Sequence, residues 1–177
     1  MEKLLFKEEQ RHNQWWLWMI LIASLLAVIG PFSYGIYSQE VLDKPYGDNP
    51  MNTEGLIVFG LTSTAVLGFV IFLMMSSRLK TKISNGGISY CYPPLAPKWK
   101  FISPAEIERF EIRTFRAVRE FGGYGIKRRW RRGAAYIISG NTGLQLYLKN
   151  GKKLLIGTQK KQAIEYAMQK IMEQDKG

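Results

Sequence analysis

WWLWMILIASLLAVIGPFSYGIY, residues Trp15–Tyr37, is a run of about 23 residues without a charge. Wound as a helix at 1.5 Å per residue, it reaches across the roughly 30 Å hydrocarbon layer of a bilayer. No polar face interrupts it, and a helix apolar all round needs either a large protein or lipid around it. A chain of 177 residues does not supply the first. Trp15, Trp16 and Trp18 stand at one mouth of the run and Tyr34 and Tyr37 at the other, the two levels where amphipathic rings meet headgroups. Pro31, after Gly30, is placed to kink or end the helix near its outer end. The run is too long for a cleaved signal peptide, and its end, GPFSYGIYSQE, has no small-x-small cleavage site.

A second uncharged run follows, GLIVFGLTSTAVLGFVIFLMM at Gly55–Met75. Thr62, Ser63 and Thr64 are able to bond back to helix carbonyls, and Gly60, Ser63, Ala65 and Gly68 offer small side chains where a first helix would approach closely. The two runs predict a membrane hairpin: a segment 1–14, a span 15–37, a loop 38–54, a span 55–76 and a domain 77–177. Lys and Arg number three in the first segment, one (Lys44) in the loop, and Arg78, Lys80 and Lys82 stand just past the second span. That distribution predicts both ends on the cytoplasmic side of a bacterial inner membrane and the loop outside.

The mean hydropathy of −0.13 averages two unlike halves. Residues 78–177 carry twenty-one basic and seven acidic side chains, while 1–14 balances and 38–54 is acidic, so the formal net charge of +11 comes from the tail. One cysteine, Cys91, permits no intramolecular disulfide and no thiolate cage. One histidine, His12, sits outside the predicted domain and argues against a histidine metal site or a Ser/His/Asp triad there.

Past Lys82 short alternating or β-branched segments broken by turn residues predict an antiparallel all-β unit. Asn85-Gly86-Gly87 reads as a hairpin turn between KTKIS and ISYCY. PPLAPKWKF is too rich in proline for a central strand. Ser103-Pro104-Ala105-Glu106 reads as a capped single turn. IERFEIRTFRAV alternates if one bulge is allowed, with Ile107, Phe110, Ile112 and Phe115 inward and Glu108, Glu111, Arg113 and Arg116 outward. YIISG and LQLYLKNGKKLLIGT give three strands, with a hairpin at Asn150-Gly151 and Leu144, Leu146 and Leu148 on one face. Thr158 then caps a helix through KQAIEYAMQKIMEQ, whose stripe is Ala163, Ile164, Ala167, Met168 and Ile171 and which must cover an open end or face of the sheet.

The order of these parts, a strand hairpin, SPAEIERFEI, a loop rich in Gly and Arg, ISGNTGLQLYLKNGKKLLIGTQK and a closing helix, resembles the bacterial pleckstrin-homology-like (PH-like) domain, which is often found behind one or two membrane helices. The resemblance covers residues 80–175. It implies a mainly-β PH-like barrel or sandwich capped by a C-terminal helix and a binding or scaffold role. It brings no cofactor and no active-site residue, nor does it by itself imply phosphoinositide binding, because the fold is shared by domains that bind proteins or peptides.

Lys127-Arg128-Arg129-Trp130-Arg131-Arg132 is the densest local feature, five cations in six positions. If extended, it places Arg128, Trp130 and Arg132 on one side and Lys127, Arg129 and Arg131 on the other, so that only Trp130 is a core candidate. Anionic headgroups of the same bilayer suit it, each basic residue near the surface being worth on the order of 1 kcal/mol. An acidic partner protein at the loop or at an open sheet edge is the second reading, and a merely solvated loop the third. No nucleic-acid motif accompanies the charge, and the glycines before it match neither a P-loop nor a dinucleotide fingerprint. Catalysis is not expected: of Glu106, Glu108, Glu111 and Glu120, the middle two lie in an alternating strand beside Arg109 and Arg113, as ordinary ion pairs. Neither span holds an ionisable residue, as a transporter normally requires; hairpins assembled as an oligomeric pore or a membrane complex remain the alternative. The expected partners are the bilayer, its anionic headgroups, and another membrane protein or a second copy.

Overall fold

A computed structural model describes residues 3–12, 15–130 and 132–174. They fall into two compact units, 15–75 and 3–12 with 76–174.

The helical unit is α1 (Trp15–Glu40) and α2 (Thr53–Ser76), both long and apolar enough to cross a membrane. Pro31 does not end α1. Each helix extends two or three residues past the predicted limit, because polar residues at the turn find partners. Gln39 Nε2 donates to the Met51 carbonyl at 2.8 Å and Thr53 Oγ1 to Gln39 Oε1 at 3.0 Å, while Ser38 Oγ donates to the Lys44 carbonyl at 3.1 Å. Of the small residues offered for close approach, Gly60 makes one: a Cβ there would lie 3.1 Å from Phe32 Cβ. Gly68 faces open space.

In the second unit, β1 (Leu4–Arg11), β2 (Arg78–Ser84), β3 (Gly87–Tyr92) and β4 (Ala96–Ile102) form an antiparallel sheet in chain order. The other strands, β5 (Ile107–Thr114), β6 (Gly125–Arg129), β7 (Gly133–Ile137), β8 (Thr142–Leu148) and β9 (Lys153–Gly157), form a sheet of order β5-β8-β9-β7-β6. Helix α3 (Lys161–Gln174) packs on β1, β2, β5 and β8. The two sheets do not close into a barrel. The core lies between them and α3, with Leu79, Ile83 and Ile88 from one sheet, Leu144, Leu146 and Ile156 from the other, and Ile164, Met168 and Ile171 from the helix.

Strand β1 is the main departure from the sequence reading, which set 1–14 apart from the domain. Its register with β2 pairs Arg11 with Arg78, so the helical hairpin is an insertion between two neighbouring strands and is joined to the β-unit twice. The strand is hard to see because its inward positions are Phe6, Glu8 and Gln10. Two polar side chains point into the interior, where each has a partner, as burial demands. Glu8 accepts from Thr158 Oγ1 at 2.7 Å and from the Gln159 backbone N–H at 2.8 Å, and Gln10 Nε2 donates to the Gly157 carbonyl at 2.7 Å. Thr158 Oγ1 accepts from the Lys160 N–H at 3.1 Å, but α3 begins at Lys161, so Thr158 stands two residues ahead of the cap position predicted for it.

Other expectations meet the structure with three corrections. The unit is not wholly antiparallel, since β7 runs parallel to β9: the connection after β7 passes over β9, and the β8–β9 hairpin folds back between. Phe115 is buried, but not with Phe110 and Ile112. The bulge falls between Ile107 and Arg109, after which alternation sends Phe115 to the opposite face, into a second cluster with Phe121, Ile137 and Leu155. That sheet is therefore covered on both faces, which is why YII and LLI read as continuous apolar runs. Ala163 is exposed, one position ahead of the Ile164, Ala167, Met168, Ile171 stripe.

The proline-rich segment is an edge strand, β4, where a missing N–H is tolerated. Glu106 accepts from the Ser103 N–H at 2.9 Å across the 3-10 turn Pro104–Glu106. Cys91 is free and buried, and burial pushes its thiol up.

Candidate anion-binding cleft

The sequence that reads as a basic loop is a hairpin. Strand β6 pairs with β7 from Gly125↔Ile137 to Arg129↔Gly133, and the Arg132 N–H donates to the Arg129 carbonyl at 3.2 Å to close the turn. Gly133 has φ +78°, a conformation glycine adopts without strain. Trp130, the core candidate, is instead fully exposed at the tip. The chain turns there, so the alternation of an extended strand stops at Arg129. Arg131 lies outside the described residues.

Arg132 leaves the free cationic set. Its Nη1 lies 3.3 Å from Glu120 Oε2, the same oxygen that accepts from Arg113 Nη1 at 2.8 Å, while Glu120 Oε1 accepts from the Arg116 N–H at 2.9 Å. Glu120 belongs to a five-residue π-turn, Ala117–Phe121, that packs over the outer face of the second sheet. These residues line a cleft of ≈ 780 Å³. Burial pushes the Glu120 carboxyl up, but the Arg116 N–H, the Arg113 hydrogen bond and the charges of Arg113 and Arg132 outweigh it, so it titrates below the usual range. A depressed carboxylate stabilises the fold fully above its unfolded value, and that contribution is lost as pH falls through the folded one. Glu120→Gln is therefore expected to cost about 1–2 kcal/mol at neutral pH and to remove part of the loss of stability expected below the ordinary value of 4.5. Thermal melting of the full-length protein across pH reads both effects.

A second, larger cleft of ≈ 1140 Å³ opens between the two sheets on the side that α3 does not cover. Strands β4 and β6 are sheet edges, and residues of both line it. Lys100, Lys127, Arg128, Arg129, Lys152 and Lys153 surround it, and among the described residues no carboxylate lines it. Lys100 Nζ donates to the Tyr136 hydroxyl at 2.6 Å, and the Tyr136 ring meets Tyr90 edge-on at 4.9 Å. Both tyrosines are buried. Burial, and then the neighbouring Tyr136, push the Tyr90 phenol far above its ordinary value, so it stays protonated. Ile102, Leu148 and Leu154 add apolar wall.

The structure thus gathers Lys127, Arg128, Arg129 and Trp130 at one cleft and places Arg132 at another. Sequence reading missed Lys100 and the two tyrosines, since a proline-rich segment and two aromatic strand positions carry no local sign that the fold brings them together. Of the acids, Glu111 accepts from Tyr147 Oη at 2.7 Å and lies 4.0 Å from Arg109 Nη1. His12 is half-buried, which lowers its pKa. Comparison of the sequence with protein-family models and with curated proteins gives no match in either.

Proposed function

We propose that the chain is a membrane-tethered, non-enzymatic PH-like module of a bacterial inner membrane. In this reading α1 and α2 span the bilayer, and the β-unit lies on the cytoplasmic side, where the β6–β7 hairpin binds anionic lipid headgroups. The observation that carries it is Trp130, fully exposed at the tip of a hairpin whose Lys127, Arg128 and Arg129 have no ion-pair partner among the described residues. An indole with one apolar body and one polar edge suits the headgroup level, with cations beside it. The pairing of Arg11 with Arg78 supports the topology independently of the Lys and Arg counts, because a hairpin that leaves and rejoins adjacent strands returns to the side it left. The spans already secure attachment, so the basic hairpin orients the unit and concentrates it on its ligand.

Hydrogen exchange of the full-length protein in nanodiscs tests this. Amides of residues 125–137 are expected to exchange more slowly on phosphatidylcholine discs containing phosphatidylglycerol than on phosphatidylcholine alone, and the difference is expected to vanish with Lys127→Gln, Arg128→Gln and Arg129→Gln together. Equal exchange on both discs removes the headgroup reading. It would then favour an acidic partner protein, the reading that the free edges of β4 and β6 support.

A further inference from the structure

We propose that the cleft between the β4 and β6 edges is a site for one phosphomonoester lipid headgroup, with Lys100 and Tyr136 binding the phosphate and Ile102, Leu148 and Leu154 receiving the first part of its glycerol and acyl chains. The site rests on the headgroup reading above and goes beyond it, from attraction of a charged surface to recognition of one molecule.

The charge arrangement is the first ground. In the smaller cleft the cations meet an acid, with Arg113 and Arg132 sharing Glu120, and beside the β1–β2 ladder Arg11, Arg78 and Lys80 surround Glu9. Around the cleft six cations have no acid among the lining residues. Six like charges around one concavity repel each other, and they focus a field on whatever anion enters. A phosphomonoester carries about −1.5 to −2 at neutral pH, its second pKa being near 6, against a single charge on a phosphodiester. The cleft therefore favours the former.

The second ground is the polar floor. Lys100 reaches from an edge strand to a buried phenol and finds no carboxylate. Its ammonium has three donors, of which the Tyr136 hydroxyl takes one. The other two are left for an incoming oxygen, and Tyr90, the cross-strand partner of Lys100, stands beside the Tyr136 ring. Ammonium and hydroxyl donors on one phosphate are charge-assisted bonds, about twice as strong as neutral ones. The third ground is the apolar wall and the exposed Trp130 at the rim, which a free sugar phosphate or inorganic phosphate would leave in contact with water. Together they select an amphiphile.

The test uses full-length protein in phosphatidylcholine nanodiscs, with empty discs as the blank. It is titrated calorimetrically with dioctanoyl phosphatidic acid, dioctanoyl phosphatidylglycerol and glycerol 3-phosphate. Saturable binding of one phosphatidic acid per chain is expected, roughly tenfold or more tighter than phosphatidylglycerol, and glycerol 3-phosphate, which lacks the acyl chains that meet the apolar wall, is expected to bind roughly tenfold or more weaker than phosphatidic acid. Lys100→Met and Tyr136→Phe are each expected to weaken phosphatidic acid binding by roughly tenfold while leaving the slowed exchange of residues 125–137 on anionic discs unchanged. That unchanged exchange also shows that the variants fold. Equal affinity for the two lipids, or full affinity in Lys100→Met, overturns the site while leaving the headgroup reading standing. Glycerol 3-phosphate binding as tightly as phosphatidic acid overturns the lipid assignment in favour of a soluble phosphate ester. Loss of the exchange difference in the wild type, with saturable phosphatidic acid binding intact, sinks the headgroup reading of the hairpin alone.

Discussion

A chain that begins at Arg78 and carries the rest of the sequence is expected not to fold, although it holds eight of the nine strands and the closing helix. It lacks β1. Losing that strand strips Phe6 from the core, removes the Glu8 carboxylate from the Thr158 hydroxyl and the Gln159 N–H, and takes Gln10 from the Gly157 carbonyl. One buried aromatic, two charge-assisted bonds and one neutral bond amount to on the order of 6 kcal/mol, before the β1–β2 ladder is counted. A small domain has about 5–15 kcal/mol in total. The converse chain, in which a short turn joins Arg11 to Arg78 in place of the helices, is expected to fold and to stay in solution without detergent, because these residues are already partners across two adjacent strands. Amide dispersion in a heteronuclear correlation spectrum separates the two. A well-dispersed spectrum from the fragment that starts at Arg78 would show that β1 is dispensable.

Gly133→Ala is expected to be the most damaging single substitution near the cleft, at roughly 3 kcal/mol. The residue has φ +78°, where any Cβ is strained by about 1–2 kcal/mol. A Cβ there would also collide with the backbone carbonyl oxygen of Lys153, so β9 or the whole β6–β7 hairpin must move, a displacement of the kind that costs about 1–3 kcal/mol. Gly140 is the control. Its φ is +77°, but open space surrounds the position, so Gly140→Ala is expected to cost only about 1 kcal/mol. The thermal midpoints of the two variants in the full-length protein measure the difference. Equal midpoints would mean that β9 does not pass beside the first residue of β7.

What the sequence makes legible follows from which physical signals are local. The two apolar runs, the Asn150-Gly151 hairpin, the Leu144, Leu146, Leu148 face and the Ile164, Ala167, Met168, Ile171 stripe are all written in short periodicities, and the structure has each of them. Strand β1 is not, because Glu8 and Gln10 occupy inward positions that alternation expects to be apolar, and their partners lie about 150 residues away in the chain. The side of the sheet taken by Phe115 depends on where one bulge falls, which the residues alone leave open by a position. The candidate site divides the same way. Clustered cations announce themselves, but their separation into a paired Arg132 and an unpaired Lys127, Arg128 and Arg129 depends on a π-turn carrying Glu120, and the polar floor depends on β4 and β7 meeting across two sheets.

In the proposed topology the helical hairpin crosses a bilayer and returns, leaving both parts of one β-unit on the inner side. Cys91 is the sole cysteine and is buried, so single cysteines introduced by Asp43→Cys, Lys7→Cys and Lys152→Cys report their own accessibility to a membrane-impermeant maleimide. In intact spheroplasts the cysteine at position 43 is expected to label, while those at 7 and 152 label only after the membrane is opened. Labelling of position 7 or 152 from outside, or of all three from the same side, would contradict it.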